Sequence, residues 1–352
     1  MSRIVYLFGA GASFGKRSEH DKNEILEGIP IVTEIPIQID RLINRIKESN
    51  SYTEENPTVE TSNLKKIIEE LNWLKESSEN HQTIDTYAKK LKIQFGASTK
   101  KYNRLKTSLS IFLTLVQILN KPDSRYDAFF ANILGDKFDK LPDNVSVLSW
   151  NYDCQFELAY KEYSISKHLN DLWNELNISC KTTKNEMDRA IIPFSITKLN
   201  GTALLHKIEI LNHSSFLDPY YNEDNNESQI DYIYRTYFEN LSKGEANHAM
   251  SFAWENNNST NFSEKYRNIA FEAEYLVIIG YSFPYFNREV DRDIIQRMVK
   301  LKKVYIQDPY CKDVKESFEA TLSEEQQEKV ENGQIKIILK ESTKQFLIPN
   351  EM

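Results

Sequence analysis

The chain has 352 residues, 40% of them apolar and 27% charged, with 19 Tyr and 18 Phe; this is a globular composition with length for one large domain or two ordinary ones. Its net charge of −8 argues against direct nucleic-acid binding, which needs clustered Lys and Arg to neutralise phosphates. No run of about 18 apolar residues offers a transmembrane helix, and no cleavable leader is evident. Three scattered cysteines, Cys154, Cys180 and Cys311, supply neither a disulfide framework nor a zinc ribbon. A cytoplasmic protein with no membrane partner and no metal is expected.

The first predicted element is a buried strand at residues 4–8, emptying into Gly9-Ala10-Gly11-Ala12-Ser13-Phe14-Gly15. Glycines permit positive φ and leave no Cβ in the way, so the N–H groups of such a loop can face a pyrophosphate. A tight strand-to-helix turn without a ligand would use the same residues. The G-x-G-x-x-x-G spacing, with no acidic strand end about 20 residues on, departs from the dehydrogenase fingerprint. Gly15-Lys16-Arg17 has no hydroxyl after its lysine, which excludes a P-loop. Beyond Gly28-Ile29-Pro30, apolar residues three and four apart predict helices over 34–48, 64–76, 84–91 and 101–119. They read as a helical module inserted at 35–135, with the polar stretch 48–62 as a mobile linker.

Short β-branched runs at 145–149, 196–199, 275–280 and 303–307 predict further buried strands, and 334–339 an edge strand. Helical patterns lie between them. The expected class is therefore α/β, a Rossmann-like parallel sheet flanked by helices, with the sheet domain split into 1–34 and 136–352. A second insertion, 206–265, is poor in periodicity. Its Asn-heavy stretches 222–228 and 255–263 read as surface loops.

The strand at 145–149 ends on Trp150-Asn151-Tyr152-Asp153, at the carboxyl edge where open α/β sheets bind ligands. Asn151 can hold a sugar hydroxyl or a water, and Asp153 can orient it; both can equally cap the following helix. After the strand at 275–280, Asn287 and Arg288 can reach a ribose or phosphate. Asp291 reads as a surface pair, and Phe283, Tyr285 and Phe286 as core. Gln307 and Asp308 end the next strand, where they can meet adenosine hydroxyls or simply close the strand.

Five of these segments occur in the order seen in the sirtuin-like superfamily: Phe8-Gly9-Ala10-Gly11-Ala12-Ser13, Gly28-Ile29-Pro30, Trp150-Asn151-Tyr152-Asp153, Lys198-Leu199-Asn200-Gly201 and Gly280-Tyr281-Ser282. The Asn-Tyr-Asp and Gly-Tyr-Ser forms resemble the bacterial branch of that family found in antiphage defence. The resemblance spans about half the chain, in pieces. It implies an NAD site: Gly9, Ala10, Gly11, Ala12 and Ser13 at the pyrophosphate, with Pro30 and Gly201 nearby. Asn151 and Asp153 would sit at the nicotinamide ribose, and Gly280, Tyr281 and Ser282, with Asn287 and Gln307, toward the adenosine end. NAD would be the substrate of a glycohydrolase, restrained by homo-oligomer contacts or a separately encoded defence partner.

The family's general base, a histidine, is Asn200 here. An amide takes no proton at neutral pH, and His206, six residues on, could substitute only by swinging in. Nicotinamide leaves as a neutral molecule, so cleavage needs no leaving-group proton; a missing base costs about 10²–10⁴-fold. A catalytically weak sensor or scaffold that binds NAD or ADP-ribose is the alternative.

Overall fold

Ile4 to Phe8 are all essentially inaccessible to solvent. Alternation along this strand, β1 (Arg3–Phe8), sends Ile4, Tyr6 and Phe8 to one face of a sheet and Val5 and Leu7 to the other. A strand buried on both faces must be covered by helices on both, which is the α/β condition. The computed structural model describes residues 2–48, 59–96, 99–135, 140–181, 193–208, 214–220, 226–244, 246–255 and 260–352.

After β1 come a short hairpin, β2 (Lys16–Arg17) and β3 (Ile25–Glu27), and the helices α1 (Ile35–Glu48), α2 (Val59–Glu79), α3 (Ile84–Phe95) and α4 (Lys100–Leu119). Thr83 and Thr99 cap α3 and α4 by accepting from Thr86 N and Tyr102 N. α5 (Ser124–Ile133) precedes β4 (Val145–Ser149), which is followed by α6 (Gln155–Tyr160), α7 (Leu169–Glu175), β5 (Ile178–Cys180) and β6 (Ser195–Lys198). Next are β7 (Gly201–Ile208), β8 (Ser214–Phe216), α8 (Asn226–Tyr234), a π-helical turn into α9 (Asn240–Ser242), and β9 (Ala246–Met250). The chain ends with α10 (Thr260–Glu272), β10 (Ala273–Ile279), α11 (Arg288–Gln296), β11 (Lys303–Gln307), α12 (Cys311–Glu319), α13 (Glu324–Glu331) and β12 (Lys336–Lys340).

The central sheet has seven strands in the order β12-β11-β10-β1-β4-β6-β5, and every pairing is parallel. The fold is therefore a Rossmann-like α/β sheet, with β12 at one edge. α5, α6 and the tail residue Phe346 cover the face that carries Tyr6 and Phe8. α10, α11 and α12 cover the Val5 and Leu7 face. From β1 the sheet grows outward through β4 and β6 on one side and, later in the chain, through β10, β11 and β12 on the other, so the crevice between β1 and β10 is the topological switch point.

A second core joins α1 to α4 with α8 and the inner faces of β7 and β9. The two segments read as separate insertions therefore pack on each other. α5 lies outside that core: Tyr126, Phe129 and Phe130 belong to the sheet layer. The reading of 206–265 as loops is corrected in its described parts. β7, β8 and β9 form an antiparallel three-stranded sheet, residues 226–228 open α8, and 260–263 open α10. Pairing with one another and burial against α4 shape β7 and β9, while α8 packs on α2 and α10 on the sheet face of Val5 and Leu7. Of the stretches 48–62, 222–228 and 255–263, residues 49–58, 221–225 and 256–259 lie outside the described residues. Among the described residues no helix is long and apolar enough to cross a membrane, and no cluster of His, Cys, Asp or Glu is placed to hold a metal ion.

Under the carboxyl end of β6 lies a buried ion pair. Lys198 Nζ stands 2.6 Å from Glu157 Oε1 of α6 and donates to the Asp153 carbonyl oxygen at 2.5 Å. Both side chains are almost fully buried. Burial, the largest single influence, opposes the lysine charge, but Glu157, Cys154 and Asp153 together outweigh it and carry the Lys198 proton affinity above the ordinary value. Removing one partner of such a pair leaves an uncompensated charge. Lys198→Met should cost about 3–5 kcal/mol in urea unfolding, and Glu157→Gln added to it should restore much of the loss. Equal loss in the single and double variants would show that the pair is not what holds this end of β6.

Candidate functional site at the carboxyl edge of the sheet

Four central strands end at one level. Phe8 of β1 lies opposite Ile279 of β10 and Ser149 of β4, and Ser149 opposite Lys198 of β6. One or two residues further, the chain presents Gly280, Gly9, Asn151 and Asn200 at the same edge. The sheet thus brings together the glycine loop, the Asn151-Tyr152-Asp153 strand end, Asn200-Gly201 and Gly280-Tyr281-Ser282.

The glycines are required first by backbone contact. A Cβ on Gly9 would stand 2.6 Å from the Gly280 carbonyl oxygen, and one on Gly11 2.9 Å from Gly280 Cα. Gly280 itself has φ +58° and would collide with the Gly11–Ala12 backbone. The loop N–H groups are largely committed: Gly9 N donates to Ile279 O (3.0 Å), Gly11 N to Gly280 O (2.9 Å) and Ala12 N to Gly9 O (2.9 Å). Ala10, which opens the single 3₁₀ turn Ala10–Ser13, is exposed, as is Ser282 across the contact. A ligand at this edge would meet Ala10 and Ser282 rather than a fully open cradle.

Asn151 holds this loop. Its Nδ2 donates to Gly9 O (2.9 Å) and to Ser13 Oγ (3.0 Å), and Ser13 Oγ is also 2.7 Å from the Tyr126 hydroxyl. Ser13 is fully buried and therefore braces the turn, as does Arg125, donating to Ala12 O (2.9 Å). Ile29 N donates to Ser13 O (2.8 Å), which sets buried Pro30 behind the loop. Arg17 clamps the same segment. It donates to Phe14 O and Ile29 O and forks onto both carboxylate oxygens of Glu34. Neither Arg17 nor Arg125 was legible as a site residue, because each acts on partners set by tertiary folding, Glu34 and Ile29 O for Arg17 and Ala12 O for Arg125.

Asp153 Oδ1 accepts from Gln155 N (3.1 Å), the helix-cap role open to it in the sequence. Its Oδ2 is buried without a hydrogen bond of good geometry. Burial raises its pKa, and the nearby Lys198 charge opposes that rise. Asn200 is buried and its Oδ1 has no partner, while its carbonyl accepts from Ser251 N (2.8 Å). Gly201 turns β6 into β7 at φ +76°, with its α-hydrogen side against the Ala249 carbonyl. His206 does not lie in a loop. It sits in β7 against Phe216, buried, with its pKa lowered by desolvation, so it is held away from a swing toward Asn200.

Three expected ligand contacts have other occupations. Gln307 staples the C-terminal tail, donating to Ser342 O (2.6 Å) and Gln345 O (2.7 Å) and accepting from Leu347 N (2.9 Å). Asn287 Nδ2 donates to the Tyr281 hydroxyl (3.0 Å), and Tyr281 donates to Asp291 Oδ2 (2.7 Å). Asp291, expected on the surface, is 1% exposed and accepts from Trp150 Nε1 (3.1 Å) through its other oxygen. Trp150 stacks on Tyr281. The carboxyl thus ties the residue before Asn151 to the residue after Gly280. Asp291 read as a surface pair, and only tertiary packing turns it inward while Arg288 stays exposed. Phe283 is core as expected; Tyr285 is 75% exposed.

No protein-family model matches the chain, and no curated protein matches it.

Burial pushes the Asp291 carboxyl up to about 7, against the pull of its two donors. Its folded value therefore exceeds its unfolded value, and the native state holds the extra proton between about pH 4 and pH 7. Stability should be highest below that window and fall as pH rises through it, by at most about 4 kcal/mol for a shift of this size. In Asp291→Asn the dependence across that window should flatten, as read by urea midpoints at several pH values. An unchanged slope in the variant would place the titration elsewhere.

Proposed function

We propose that the carboxyl edge binds NAD and that the chain is an NAD glycohydrolase, releasing nicotinamide and ADP-ribose as an effector of bacterial antiphage defence. The observation that carries this reading is the convergence of the glycine loop, Asn151-Tyr152-Asp153, Asn200-Gly201 and Gly280-Tyr281-Ser282 at the switch point of one parallel sheet. The sirtuin-like order of those segments gives NAD as the ligand.

In this reading exposed Ala10, at the start of a helical turn, and Ser282 meet the pyrophosphate and adenosine side. The work of the site is electrostatic and positional. Departure of neutral nicotinamide leaves an oxocarbenium-like ribose, which needs a nearby dipole and an oriented water. Asn200 Oδ1 and Asp153 Oδ2 are buried acceptors with no committed donor, suited to holding a sugar hydroxyl or a water. Asn151 acts through the loop it fixes. Partners of the active form, whether further copies of this chain or a separately encoded protein, belong to the same proposal.

One observation favours the alternative, a sensor or scaffold that binds NAD or ADP-ribose without rapid turnover. Asn200 supplies no proton acceptor, and His206 is locked in β7.

Nicotinamide release from NAD by the purified chain separates the two, with calorimetry reporting binding. Ala10→Asp should weaken NAD binding by about tenfold or more through charge repulsion, equivalent to about 1.4 kcal/mol. The fold should be retained, because an exposed acidic residue suits the start of a helical turn. Undiminished NAD binding in Ala10→Asp would move the site off this edge. Binding without nicotinamide release at high enzyme concentration would leave only the sensor.

A further inference from the structure

The carboxyl edge continues past β10. Ile279 lies opposite Gln307 of β11, and Gln307 opposite Lys340 of β12; Gly280 N donates to Gln307 O (3.1 Å). Beyond these two strand ends is a cleft of about 500 Å³, lined by Gln307, Lys340, Ser342, Lys344, Gln345 and Leu347. That volume is within the range of small-molecule sites. The backbone around it is fixed from two sides. The buried Gln307 amide donates to Ser342 O (2.6 Å) and Gln345 O (2.7 Å) and accepts from Leu347 N (2.9 Å). Arg125 donates to Thr343 O (3.3 Å) with one nitrogen and to Ala12 O (2.9 Å) with another. A single guanidinium thus joins the wall of the cleft to the glycine loop. Phe346 packs between these anchors, against Phe8 and Tyr126.

Lys340, Ser342, Lys344 and Gln345 are exposed on this fixed backbone. The lining therefore holds two lysines and no carboxylate. Neither lysine forms an ion pair with a described residue. The two carboxyls that adjoin the lining in sequence do not belong to it. Asp308 Oδ1 accepts from Tyr310 N (2.8 Å) at the turn into α12, and Glu341 is exposed.

In dinucleotide folds a carboxylate beyond the glycine loop takes the 2′-hydroxyl of the adenosine ribose, and a cation in that region takes a 2′-phosphate. Here the cleft beside the glycine loop offers cations, with the Ser342 hydroxyl and the Gln345 amide as neutral donors. A phosphomonoester pairs with lysines through charge-assisted hydrogen bonds. We propose that this cleft binds the 2′-phosphate of a nicotinamide dinucleotide through Lys340 and Lys344, so that the edge takes NADP in preference to NAD. The proposal rests on the NAD reading of the edge and narrows its substrate class.

Calorimetric titration of the full chain with NADP and, separately, with NAD tests this. NADP should bind about tenfold tighter than NAD at low salt. The gap should narrow in about 0.5 M sodium chloride, which screens exposed lysines. In the double variant Lys340→Gln, Lys344→Gln the affinity for NADP should fall to that for NAD. Both positions are exposed, so the unfolding midpoint should stay unchanged. Equal affinities for the two dinucleotides, or tighter binding of NAD, overturn the proposal and leave the NAD reading standing. A preference for NADP that survives the double variant or the added salt overturns it in the same way. Binding of neither dinucleotide overturns both.

Discussion

The carboxyl edge of the sheet is organised by one close backbone approach, that of Gly9 and Gly11 to Gly280. Side chains at any of the three would force β1 and β10 apart where their loops cross. The approach places the turn after β1 directly on the turn after β10, with Gly11 N bonded to Gly280 O. Side chains from the surrounding elements then brace it. Asn151 ties the loop to β4, Arg125 and Ser13 to α5, Arg17 to Glu34, and Asp291 ties Trp150 to Tyr281. A loop so fully bonded is pre-organised, which lowers the entropic cost of binding a ligand against it.

Beneath that edge the polar groups are unusually committed to burial. Lys198 pairs with Glu157 under β4 and β6, and the buried acceptors Asp153 Oδ2 and Asn200 Oδ1 lie close by without a hydrogen-bond partner. Buried carboxyls of this kind set the pH response of the fold as much as any chemistry, since desolvation raises both Asp153 and Asp291. On the far side of the same strand end, Tyr152 carries the motif into the core shared by the helical module and β9. Three consecutive residues, Asn151, Tyr152 and Asp153, thus address three different environments.

Much of the fold was legible. Strands buried on both faces announce themselves as short β-branched runs, and the expected strands at 145–149 and 303–307 coincide with β4 and β11. The helices of the module follow their 3.6-residue apolar period. The antiparallel sheet of β7, β8 and β9 was not legible, because its strands owe their burial to α4 and to one another, and such pairing leaves no periodic trace. The same limit applied to single residues. Gln307 looked like a ligand contact at a strand end, yet its amide is filled by tail carbonyls 35 and 38 residues later.

By itself the sequence determined the class of sheet, the position of its carboxyl edge and the residues that line it, because these follow from local composition and strand-end position. It also determined that Asn200 offers no base. Only the tertiary structure decided which of those residues remain available. Partners far along the chain claim Ser13 and Gln307, Tyr281 claims Asn287, and packing buries Asp291 and leaves Ala10 and Ser282 exposed. Availability is set by what a polar group is already bonded to, and that is a property of packing, not of residue type.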